Sequence, residues 1–110
     1  MCTGEKKKRD PVLSMLGLAA KSRNVVSGGF STENAVKSGK AYMVLIAEDA
    51  SDNTKKKFGN MCNFYKVPYY FYEEKMYLGH AIGKGERTSL AVTNEGFADS
   101  IRKHLEDSKH

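Results

Sequence analysis

The chain has 110 residues and a formal net charge of +5, from 18 Lys and Arg against 13 Asp and Glu. A length of this order accommodates one hydrophobic core rather than two, and with 40% hydrophobic and 28% charged residues most of the chain is expected to fold rather than stay disordered. The longest uninterrupted apolar stretch, Ala41–Ala47, falls far short of the roughly 20 residues of a membrane-spanning helix.

Residues 1–9 carry Lys6, Lys7, Lys8 and Arg9 without apolar periodicity and read as a solvated basic tail. No hydrophobic region of secretory length follows, so the expected location is the cytoplasm. Residues 10–110 are expected to form a single domain. Asp10 before Pro11 is a helix start, and Val12, Met15, Leu16 and Ala19 recur at helical spacing up to a stop near Lys21 to Arg23. Val25 and Val26 suffice for a very short strand before the Gly28-Gly29 pair. A second helix is expected over Gly29 to Ser38, with Phe30, Ala35 and Val36 as core contacts and Gly39 ending it in the left-handed conformation.

Tyr42 to Ala47 is too short for a typical helix, and its unbroken apolarity suits a central strand covered on both faces and flanked by parallel neighbours. Ser51, Asp52 and Asn53 are capping residues for a third helix, in which Phe58, Met61, Cys62 and Tyr65 mark the buried stripe. Val67 to Tyr72 reads as a strand with proline at its entrance, followed by a short helix bearing Met76, Leu78, Ala81 and Ile82. Gly83 to Arg87 is a mobile, charged loop, Thr88 to Thr93 a last strand, and Asn94 the cap of a final helix burying Phe97, Ala98, Ile101 and Leu105. This alternation predicts an α/β layer sandwich with about four strands between helices.

Little in the chain points to catalysis. Cys2 and Cys62 read as free thiols, with no disulfide framework or zinc pattern. His80, His104 and His110 do not pair at metal-ligand spacing, so no metal and no cofactor is expected. Glu48 and Asp49 close a central strand, but adjacent strand residues point to opposite faces and do not converge on one reacting atom. A capping or loop-ordering role fits them better.

A polyanion is the natural partner of the excess positive charge. Ser27-Gly28-Gly29 directly ahead of a helix forms a phosphate dock in outline, because glycines admit a close ligand and the first helical N–H groups attract anions. Ser31, Thr32 and Asn34 are placed to reach bases or riboses, while Lys21, Arg23 and Lys37 supply charge. It is not a nucleotide P-loop, which requires a Gly-Lys-Ser/Thr ending. A second cationic loop, Lys84 to Arg87, forms a two-walled groove with the first if both lie at one edge of the sheet. By itself Gly28-Gly29 also reads as a plain chain turn, and Gly83 to Thr88 as an ordinary exposed loop.

Lys21, Gly28, the Gly39 helix stop, Val44-Leu45-Ile46-Ala47-Glu48-Asp49, Val67-Pro68-Tyr69, Leu78-Gly79 and Asn94-Glu95-Gly96 together resemble the kink-turn-binding archaeal ribosomal protein family, and in particular its small bacterial YlxQ-like branch. The resemblance covers roughly residues 12 to 106. It implies a three-layer αβα sandwich with a four-stranded mixed sheet, and binding of structured RNA without catalysis. In that family a glycine at the head of the second helix is followed by a small residue, an Asn-Glu pair that reads sheared guanine-adenine pairs, and a lysine three positions later. Here Gly28 and Gly29 match the opening, Phe30 and Ser31 stand in place of the Asn and Glu, and Asn34 in place of the lysine. The family loop that grips an extruded nucleotide corresponds to Lys84, Gly85, Glu86 and Arg87. The resemblance therefore implies a monomeric partner of ribosomal or other kink-turn RNA, whose site comprises these residues with Lys21, Arg23 and Lys37. A protein-interaction module on the same fold, with Phe30 facing a partner, is the alternative, and a small enzyme using Glu48, Asp49 or Cys62 the third reading.

Overall fold

The computed structural model describes residues 11–107; the basic tail, Asp10, Cys2, Lys109 and His110 lie outside the described residues. Among the described residues helices and strands alternate as α1 (Pro11–Lys21), β1 (Val25–Ser27), α2 (Gly29–Lys37), β2 (Met43–Ile46), α3 (Asp52–Tyr65), β3 (Tyr69–Phe71), α4 (Lys75–Ala81), β4 (Ser89–Val92) and α5 (Glu95–Asp107). The expected capping chemistry is in place. The Ser51 hydroxyl accepts from the Thr54 amide at 3.2 Å to start α3, the Asn94 side-chain oxygen accepts from the Phe97 amide at 3.0 Å to start α5, and Gly39 ends α2 at φ 78°.

The four strands form one sheet in the order β1-β4-β2-β3, with β2 and β3 parallel and the other two pairs antiparallel. All residues of β2 are buried, as a central strand covered on both faces requires. Helices α2 and α3 pack together over one face, and α1, α4 and α5 over the other, giving the αβα sandwich. The expectation of parallel neighbours on both sides of β2 holds only for β3. Helix α3 is long enough to carry the chain back along the sheet to a parallel strand. Helix α4 has only 7 residues, so the chain stays at the end where β3 finished and re-enters the sheet as an antiparallel β4.

The buried stripe of α3 narrows to Phe58, Gly59 and Cys62, with Met61 at its margin and Tyr65 exposed. Cys62 lies wholly within the core, where burial pushes its thiol pKa up to about 11. At neutral pH it is a protonated packing residue and no nucleophile. Glu48 and Asp49 order loops: the Asp49 carboxylate accepts from the Lys75 amide at 2.8 Å at the head of α4, and the Glu48 amide donates to the Glu73 carbonyl at 2.7 Å. No helix among the described residues is long and apolar enough to cross a membrane.

Candidate nucleic-acid interface

Strand β1 ends where α2 must begin, and the turn between them is possible only for glycine. The Gly28 amide still pairs with the sheet, donating to the Ser89 carbonyl at 3.0 Å, while its own backbone sits at φ 90°, ψ 160°, a region closed to residues with a Cβ. Gly28 caps α2 without a side chain, and no acidic residue occupies the first turn. The earliest amide to find a helical partner is that of Thr32, which donates to the Gly28 carbonyl at 3.0 Å. The amides of Gly29, Phe30 and Ser31 therefore have no acceptor among the described residues, and the space where a Cβ of Gly28 or Gly29 would stand is open. Free donors, the positive end of the helix dipole and unobstructed backbone make an anion-binding surface.

The second loop comes to this same place. Arg87 Nε donates to Ser27 Oγ at 3.1 Å, a bond spanning 60 positions of sequence, and Arg87 Nη1 donates to the Glu86 carbonyl at 2.8 Å. The guanidinium thus fastens the loop to the end of β1, the strand from which α2 departs after Gly28. Glu86 turns away toward Lys75, 3.9 Å distant, and leaves those amides unblocked. Gly85 holds the loop against α4, since a Cβ on the facing Gly79 would fall on the Gly85 carbonyl.

Lys21, Arg23, Ser27, His80 and Lys84 line one open groove of about 700 Å³ between the C-terminal ends of α1 and α4 and the strand β1. Both helices stop in the same way. The amide of Asn24 donates to the Ala19 carbonyl and that of Arg23 to the Ala20 carbonyl, and Lys84 and Gly83 repeat the pattern on Gly79 and His80. This cap needs a left-handed residue. At the end of α4 it is Gly83, φ 73°, but at the end of α1 it is Arg23, φ 62°, a conformation that costs a residue with a Cβ about 1 kcal/mol relative to glycine. Arg23→Gly is therefore expected to raise stability by about 1 kcal/mol in urea unfolding.

Phe30 corrects the sequence reading. Thr32, Ala35 and Val36 form the buried side of α2, so Thr32 is enclosed rather than placed to reach bases or riboses, and Phe30 is 78% exposed. At 3.6 residues per turn, Phe30 and Ala35 stand roughly 140° apart around the helix and do not share a face. Ser31 and Asn34 are exposed beside it, as expected. Lys37 is exposed but engaged: its ammonium lies 2.7 Å from Glu33, whose other oxygen is 3.1 Å from Lys57 of α3. The hydrogen bonds from Lys37 and Lys57 hold the Glu33 carboxyl below its usual range, and Glu33 in turn raises Lys37. Thus Lys21, Arg23 and Lys84 share the groove and Gly28, Gly29, Phe30, Ser31 and Arg87 gather at the head of α2, whereas Lys37 belongs to a neighbouring ion-pair cluster. Sequence reasoning passed over His80 and the anchoring of Arg87 by Ser27, and no local signal marks either one.

Residues 10–102 match the ribosomal protein L7Ae/L30e/S12e/Gadd45 family. The chain belongs to this family. The matched stretch contains every candidate residue from Lys21 to Arg87. The chain is 46% identical over 87 residues to the RNA-binding protein YlxQ of Bacillus subtilis (strain 168), covering 79% of this chain and 87% of the relative. It is also similar to a solved structure, that of a protein with unknown function from Bacillus halodurans C, with a TM-score of 0.86 and 34% identity over 89% of this chain and 99% of the other. The Giardia lamblia 15.5kD RNA binding protein shares the fold at a TM-score of 0.73 and 22% identity, covering 86% of this chain and 82% of its own.

Proposed function

We propose that this chain is a non-catalytic, ribosomal-type RNA-binding protein that docks a structured RNA, kink-turn-like or with an internal loop, on the head of α2 and the Lys84 to Arg87 loop. The observation that carries the reading is the Arg87 to Ser27 hydrogen bond, 3.1 Å, which joins a cationic loop to an uncapped helix N-terminus. Free amides and guanidinium together suit the phosphates on either side of a sharp backbone bend. The groove bearing Lys21, Arg23 and Lys84 continues the positive surface along the adjoining stem. The relative named RNA-binding protein YlxQ, similar over most of both chains, supports the same class of ligand. The protein acts in the cytoplasm as a monomer, on ribosomal RNA or another RNA with such a bend.

Filter binding with a kink-turn RNA and a straight duplex of the same composition tests the proposal. Tighter binding of the bent RNA by at least about tenfold is expected, with affinity falling steeply as salt rises. Equal affinity for both shapes would reduce the interface to non-specific charge. Failure to bind either RNA would favour the alternative, a protein-docking module on the same fold.

A further inference from the structure

Phe30 is large, apolar and 78% exposed in the first turn of a helix whose first three amides have no acceptor among the described residues. A single exposed aromatic ring is ordinary on a protein surface. Its placement here is specific. Side chains of a helix lean toward its N-terminus, so the ring stands over the end where an anion would sit. Asn34, one turn further along and exposed, lies under the same stripe at i+4. Arg87, fastened to Ser27, places a cation near the same helix end. An anion-attracting end, a flat apolar platform and an amide side chain suit a phosphate together with its own base. A hydrogen-bonding side chain at position 30 would read the edge of a base held in a pair; a phenyl ring offers only a face, and a face is available to a ligand only where the base is unstacked.

Resting on the RNA-binding reading, we infer that Phe30 is a stacking platform for one unpaired base of the docked RNA, so that this chain selects RNA with an extruded nucleotide rather than with purines locked in pairs at that point. A competing platform, Phe71 with Lys55 5.7 Å from its ring centroid, lies at the same end of the sheet across β4 and β2. The segments leaving β2 and β3 there carry Glu48, Asp49, Glu73 and Glu74, which repel a polyanion, so the nucleotide is assigned to Phe30.

The test uses the whole chain, a fully paired RNA duplex and the same duplex with one unpaired adenosine. The protein has no tryptophan, so Phe30→Trp places a single tryptophan at the platform, which can be excited selectively over the tyrosines. With the bulged RNA, Phe30→Ala should lose about tenfold or more in affinity, while Phe30→Trp should keep its affinity and be quenched. With the paired duplex, neither effect should appear. If the wild-type chain binds both RNAs and Phe30→Ala changes neither affinity, or lowers both equally, stacking is overturned while RNA binding stands. If the wild-type chain binds neither, the stacking inference is overturned, and the underlying reading stands or falls separately on the kink-turn titration. A quench without loss of affinity in Phe30→Ala would show that the ring is near the RNA but contributes nothing, which also overturns it.

Discussion

Combining Lys21→Ala, Arg23→Gly and Lys84→Ala is expected to weaken RNA binding by about 100- to 1,000-fold near 0.1 M salt, and to lower the slope of log affinity against log salt by up to about three. The three side chains line one groove, and each is exposed. None belongs to the core, so their removal should leave stability within about 0.5 kcal/mol, apart from the gain at the left-handed position 23. Lys57→Ala is the single-charge control, compared per cation removed. Lys57 carries the same charge but is held by Glu33 at 3.1 Å in the ion-pair cluster between α2 and α3, and its loss should change affinity only slightly. Titrations at several salt concentrations separate the outcomes. If the control lowers log affinity by about a third of what the groove variant loses, each cation counts equally, only net charge matters and the groove has no special standing.

Gly79→Ala is expected to destabilise the protein by about 1–3 kcal/mol and to weaken RNA binding, although residue 79 is buried. In an ordinary helix interior the same change stabilises by about 1 kcal/mol. Here the sign reverses because α4 lies so close to the following loop that the new methyl group would coincide with the Gly85 carbonyl and crowd the Glu86 Cα. The obstacle is backbone, so it cannot be relieved by rotating a side chain. The loop must move instead, and Lys84 and Arg87 move with it. Urea unfolding reads the loss of stability, and titration of the refolded variant reads the displaced cations. A variant as stable as the parent would show that the loop yields without strain.

Much of the architecture was legible locally. Caps at Ser51 and Asn94, the stop at Gly39 and the unbroken apolarity of Met43–Ile46 each rest on a few neighbouring residues and physical rules of short range. The loop-ordering role of Asp49 holds for a different reason than strand alternation, since Glu48 and Asp49 lie in the turn after β2 and the Asp49 carboxylate caps the start of α4. The errors came from partial use of the same rules or from beyond their reach. Phe30 was grouped with Ala35 by apolarity, when helical spacing alone separates them. The direction of β4 depended on whether a 7-residue helix could return the chain along the sheet. Lys37 is engaged by Glu33 at i−4 in its own helix, a pair that local spacing allows, whereas nothing in α2 announces that Lys57 of another helix shares the same carboxylate.

The candidate interface divides in the same way. Order along the chain was enough to determine an uncapped helix N-terminus behind two glycines and a cationic loop later on, since backbone donors, dipoles and charge are properties of short segments. Tertiary structure alone decided that the two meet. Antiparallel pairing of β1 with β4 sets Ser27 beside the start of β4, and the close packing of α4 on Gly85 aims the loop so that Arg87 reaches across 60 positions to the Ser27 hydroxyl. Contacts between distant segments follow from sheet register and chain return, which no local pattern encodes.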